Sequence, residues 1–281
     1  MSSNKANSAD AKGRRLISAV APDRMKDDMD YSKSCAEFDK TFREAVKLSH
    51  DCEGIPSPTG KYFYASVLFT RLCVSAVSLR KLSPDPRLLG RDAHWDYASV
   101  CSITRIIVEC YLIFHYLCVQ TVDDIEWEAR WRLFNLHDCS QRTKMFASLD
   151  IAPEGEAEKV IEITLDELKA NSYFRGLTQK QQRHFLKGND ALFMSQDQIV
   201  QSYGGDVNEF RFLYRFLSNQ VHSLPMSFYR VSEQERGSGV ESEVEVGYTA
   251  LCLDSTCQYL KQACKDYRTL FQGVEGVRCN N

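Results

Sequence analysis

The chain has 281 residues, 43% of them hydrophobic and 26% charged, with a formal net charge of -3 and a pI near 6.1. This profile fits an ordinary globular protein and excludes collagen-like, disulfide-knot and wholly disordered chains. The slight acidity argues against a whole-molecule electrostatic footprint for nucleic acid, while leaving room for a local basic patch.

The first 33 residues are expected to be irregular, with 1–13 small and polar. A helix is expected after the capping box Ser34-x-x-Glu37, with Phe38, Phe42 and Val46 on one side, up to a break at His50–Pro58. Residues 60–82 read as a long helix, apolar almost all round, that stops at Ser83-Pro84-Asp85-Pro86. A second such helix is expected over 95–119. Arg105, Glu109 and His115 interrupt it, and the run 106–119 is too short to cross a bilayer, so no membrane partner is expected. Helices without a polar face are usually surrounded by other helices, which makes this pair the centre of a bundle.

A third long helix, 124–148, starts near Asp123 or Asp124 and carries Trp127, Arg130, Trp131, Arg132, Phe134, Arg142 and Lys144, a candidate partner surface. After Pro153-Glu154-Gly155 a helix runs through Leu168. Capping boxes at Thr178-x-x-Gln181 and Ser195-x-x-Gln198, and Asp206 followed by Glu209, start three short helices. Gly188 and Gly204 fall where helix C-termini call for a left-handed residue. The segment 231–247 reads as a loop or small hairpin, with Val240, Val244 and Val246 alternating with Glu241, Glu243 and Glu245. Its acidic part, 233–245, is a second candidate partner surface. The last helix, about 249–271, has a stripe of Leu253, Cys257, Leu260, Cys264, Tyr267 and Phe271. The expectation is an all-α helical bundle with two buried central helices. It forms a single domain over 34–272, followed by a tail at 273–281.

Eleven cysteines are scattered along the chain, with no CxxC pair and most of them inside apolar helical runs. Such cysteines behave as small buried hydrophobes in a reducing compartment, and the N-terminus lacks the apolar core of a secretory signal. The cytoplasm is the expected location. His115-x2-Cys118 and the trio Cys252, Cys257, Cys264 are spaced too widely for a zinc tetrahedron, so no metal and no cofactor are expected.

Polar residues intrude on apolar helices at two places. Arg105 and Glu109 stand one helical turn apart, on one face, in a run that otherwise belongs in a core. On the 206–222 helix, Phe210, Leu213, Tyr214, Leu217 and Val221 form the buried face. Arg211, Arg215, Ser218, Asn219 and His222 share an adjoining wedge. Two guanidiniums, an amide, a hydroxyl and an imidazole suit an anion or a phosphate. Two polar intrusions satisfy each other best by meeting. Glu109 is therefore expected to reach Tyr214, Ser218 or His222, and a carboxylate beside His222 would raise its pKa.

Arg105-x3-Glu109, then Tyr214-x3-Ser218-x3-His222 with Pro225 beyond, resembles an uncharacterised family of helical, mostly bacterial proteins over roughly residues 60–270. That resemblance implies an all-helical fold and supplies no activity. A fainter similarity is to the HEPN class, many of them metal-independent ribonucleases of toxin and defence systems. Arg215-x6-His222 matches their spacing at its outer limit, and Phe216 departs from the polar residue they prefer. The function expected first is a binding or interaction module with a polar pocket around Arg105, Glu109 and His222. Its partner would be a protein, RNA or nucleotide, and a homodimer is compatible. The alternative is a HEPN-type ribonuclease in which Arg215 holds the phosphate and His222 acts as general acid or base.

Overall fold

The computed structural model describes residues 30–88, 93–150, 155–222, 224–228, 237–272 and 274. Among them are eleven α-helices and no strand, the all-α fold the sequence predicts. Most of the segments 1–33 and 273–281, and residues 229–236, lie outside the described residues. The described chain divides into two compact units, 1–119 with 203–281, and 120–202, where a single domain over 34–272 was expected.

The first unit begins with α1 (Tyr31–Asp51). Asp30 accepts from the Lys33 amide, so the cap lies four residues before Ser34, which is buried inside the helix. The Ser34 capping box is therefore not the start signal, and residues 31–33 are helical. Phe38, Ala45 and Leu48 recur on the buried face at helical spacing.

Next come α2 (Gly60–Leu82), which stops before Pro84, and α3 (Tyr97–Phe114), which Asp96 caps by accepting from Ser99. A π-helical turn, His115–Val119, extends α3. Both helices are long and apolar enough to cross a membrane, counting the turn with α3. Only α3 is enclosed on most sides. The buried residues of α2 (Ala65, Phe69, Leu72, Cys73, Ala76 and Leu79) lie on one face, a correction to the expected pair of central helices.

The second enclosed helix is α11 (Glu243–Phe271), which packs against α1, α2 and α3, while α9 (Val207–Val221) packs against α3 and meets α11 through Phe216 and Tyr248. The short helix α10 (Pro225–Phe228) follows α9. Residues 243–247, read as hairpin or loop, are the first turns of α11. Ser242 caps them by accepting from the Glu245 amide, and Glu243 and Glu245 suit the positive end of the helix dipole. Glu245 is fully buried, and its carboxylate accepts from the amides of Tyr97 (3.2 Å) and Gly237 (2.6 Å). One buried charge thus ties the start of α3 to the loop before α11.

The second unit holds α4 (Asp124–Ala147), α5 (Gly155–Ala170), α6 (Ser172–Gly176), α7 (Gln179–Phe185) and α8 (Gln196–Ser202). Its core is Ala129, Leu133, Leu136, Leu168, Phe174 and Phe185. Asp123 caps α4, and the Thr178 and Ser195 boxes form as predicted. The basic-aromatic face of α4 is largely used inside this unit. Arg130 is 2% exposed, held by Glu126 and Gln120, and Arg132 pairs with Glu128 and Glu167. Trp127, Trp131 and Phe134 stack as a half-buried ladder.

Candidate functional site

Arg105 and Glu109 face α9. Asp206 starts that helix by accepting from the amides of Asn208 and Glu209, which sets its register. With Phe210, Leu213, Phe216 and Leu217 turned into the core, Tyr214 comes to the α3 side, and His222 caps the C-terminal end.

Arg105 is the hub. Its Nε donates to Glu109 Oε1 at 3.0 Å, Nη2 to the Tyr214 hydroxyl at 3.0 Å, and Nη1 to His222 Nε2 at 3.1 Å. The Tyr214 hydroxyl in turn donates to Glu109 Oε1 at 2.7 Å, and the guanidinium lies 4.9 Å from the Tyr214 ring centre. Burial by itself disfavours the Arg105 charge. The hydrogen bonds and the carboxylate of Glu109, with Tyr214, more than offset it, so its pKa is raised.

The expected meeting of Glu109 with α9 is present, through Tyr214. His222 differs from expectation, because it is bonded to the guanidinium and not to the carboxylate. Arginine has no acceptor, so His222 Nε2 must accept, which places the ring proton on Nδ1. The ring is exposed.

Arg211 and Arg215 are exposed on the same edge of α9, and Ser218 is half-buried. The Asn219 amide turns back onto its own helix and donates to the Arg215 carbonyl at 2.7 Å. The guanidinium that meets His222 is therefore that of Arg105, and Arg215 stands outside the network. Phe216 is buried edge-on against Tyr248, so the position where a HEPN signature carries a polar residue faces the core.

A second polar group escaped the sequence reading. The Tyr111 hydroxyl donates to Asp266 at 2.9 Å, Gln262 donates to the same carboxylate, and Tyr203 and Tyr259 are hydrogen-bonded to each other. Burial raises the Asp266 pKa against both hydrogen bonds. His115 packs on Tyr203 from the π-turn, a distortion that no residue pattern announced. Among the described residues no cluster of three metal-ligating side chains occurs, and the ten described cysteines form no disulfide.

The model of a family of unknown function, DUF5677, matches residues 62–238. The chain belongs to this family. The matched stretch contains all of α3 and α9 and therefore the whole Arg105 network, while α1 and α11 lie outside it. No curated protein and no solved structure matches the chain.

Proposed function

We propose that this DUF5677 protein is a cytoplasmic binding module that recognises an anionic group of its partner at the exposed edge of α9. The observation that carries this reading is the closed Arg105–Glu109–Tyr214–His222 network. Arg105 is engaged by three partners, and among the described residues no carboxylate is hydrogen-bonded to His222. What the network does supply is a fixed imidazole with Nδ1–H as its remaining donor. It shares one strip of helix with Arg211 and Arg215, at positions i, i+4 and i+11. Donors on a rigid helix suit an anion. Ten described cysteines without a disulfide support a reducing compartment.

The test is titration of the full chain with inorganic phosphate, a nucleotide, a short single-stranded RNA and an acidic peptide, repeated with Arg215→Ala and His222→Ala. Binding of one of these, weakened about tenfold or more by either variant, is the expected result. Unchanged binding in both variants would move the ligand face elsewhere. The ribonuclease alternative has Arg215 and His222 on a shared edge in its favour. It would show itself as metal-independent RNA cleavage abolished by His222→Ala, and the expected outcome is intact RNA.

A further inference from the structure

One contact at the α9 edge is incompatible with a charged histidine. Arg105 gives its Nε to Glu109 and its Nη2 to Tyr214, and its Nη1 donates to His222 Nε2 at 3.1 Å. A guanidinium keeps its charge and only donates. The bond therefore exists while His222 is neutral and Nε2 carries no proton. A proton on Nε2 sets N–H against N–H and cation against cation, and the bond is lost. Because the ring is exposed, it can turn away without repacking the core.

The neighbours leave that added charge without a carboxylate partner. Among the described residues, α3 brings Arg105 and Glu109 to this corner, and α9 itself carries Arg211, Tyr214 and Arg215. Glu109 Oε1 is taken by Arg105 Nε and the Tyr214 hydroxyl. Asp206 and Glu209 belong to the other end of α9, about 20 Å along its axis. The short helix α10 has no ionisable residue, and α11 reaches α9 through Tyr248 against Phe216, on the buried side. What would reconcile the two cations is an anion. An oxyanion between Arg105 Nη1 and a protonated His222 Nε2 accepts from both. Ser218 and Arg215, one and two turns before His222 on the same face of α9, add donors from the side.

Resting on the reading of this edge as an anion site, we infer that the anion seats between Arg105 and His222, and that it binds together with one proton taken from solvent by His222 Nε2. The ligand is a sulfate- or phosphoryl-type oxyanion, which can meet donors arriving from two helices. Proton and anion then favour each other by the same factor, about tenfold or more. The sign follows from the proton taken up. Affinity is highest in acid, where His222 is already protonated, and falls as pH rises through the range in which histidine loses its charge.

Nuclear magnetic resonance of the imidazole nitrogens of the full chain, from about pH 5 to about pH 8.5, tests this. The chain has six histidines, and His222→Gln assigns the one that matters. Sodium sulfate is the probe, because its charge is constant over this range, and sodium chloride at equal ionic strength is the control. Sulfate at saturation should raise the midpoint of the His222 titration by about one pH unit or more, the same tenfold coupling seen from the side of the proton. Chloride should not. Titration calorimetry in buffers of different ionisation enthalpy should show net proton uptake with sulfate. In His222→Gln, whose amide can accept from Arg105 and donate to the anion without titrating, sulfate should bind without that uptake. Sulfate binding that is flat with pH, or proton uptake that survives His222→Gln, overturns the proton-coupled seat and leaves the anion reading of the edge standing. No sulfate binding at any pH rejects the seat and counts against that reading as well.

Discussion

At the scale of single residues, Arg105 decides how much the α3–α9 contact is worth. It satisfies three acceptors at once, so Arg105→Ala is expected to lower stability by about 1–3 kcal/mol. His222→Ala should cost less than about 1 kcal/mol, because its ring is exposed and water replaces the lost bond. Urea denaturation of the two variants checks the order, and equal losses would mean that Arg105 is not the hub. Because Arg105 and Tyr214 share Glu109, the double variant Arg105→Ala, Tyr214→Phe should fall short of additivity by about 0.5 kcal/mol or more. Asp266 gives a pH signature. Burial raises its folded pKa, so folding takes up a proton there. Its contribution is fully present below the unfolded value of about 4 and is lost as pH rises through the raised folded value. Asp266→Asn keeps an acceptor for Tyr111 and removes the titration. Its melting temperature should therefore fall less than that of wild type as pH rises from about 4. Parallel pH profiles would show that this carboxyl does not contribute.

At the scale of elements, a helix end is often legible when one residue carries it. Asp123, Thr178, Ser195 and Asp206 each cap the helix assigned to them, because a short side-chain oxygen answers an amide two or three residues on. Two starts misled. Ser34-x-x-Glu37 has the form of a box but sits within α1, since Asp30 caps the helix one turn earlier. The alternation of valine and glutamate over 240–246 imitates a strand, while Ser242 and Glu245 make a helix start there. Within α4 two ion pairs that look alike in sequence should behave differently. Glu126→Ala takes the carboxylate from the buried Arg130 charge, leaving it the neutral Gln120, and should cost about 3 kcal/mol or more. Glu128→Ala frees the better-exposed Arg132, which keeps Glu167, and should cost under about 1 kcal/mol. Chemical denaturation separates the two. Gly188 is a third element-level constraint. It ends its segment at φ 64°, and an added Cβ would overlap Ser140 Oγ and lie 2.8 Å from Ser140 Cβ. Gly188→Ala should destabilise the second unit, and a neutral result would mean that Ser140 swings clear.

At the scale of the whole molecule, helix periodicity makes the all-α class legible in the sequence, and the rule that buried charges seek partners brings Arg105 and Glu109 to α9. Three features were not legible. The division at 119/120 has no proline or glycine beside it, and Gly204-Gly205, next to 202/203, reads equally well as an ordinary helix end joined to the next helix. The partner of His222 depended on which of two oppositely charged groups stood nearer, a matter of rotamers. The π-turn at His115 is a distortion of the backbone, and side-chain patterns do not record it. The cysteines, by contrast, carry one whole-molecule property in their placement. Nine of the ten described are buried, and Cys139 is partly exposed. Burial pushes the thiols of Cys73, Cys118 and Cys264 up to about 12, and those of Cys110 and Cys257 up to about 11. Only the thiolate attacks an alkylating agent, so at pH 8 a thiol titrating near 12 is ionised in roughly one molecule in ten thousand. Steric exclusion slows it further. Iodoacetamide applied to the native chain should therefore modify Cys139 first among the described cysteines, and the nine others only once the chain is unfolded. Peptide mapping by mass spectrometry reads this site by site. Native labelling of Cys73, Cys118 and Cys264 at the rate of Cys139 would mean that the α2, α3 and α11 core opens far more readily than its packing implies.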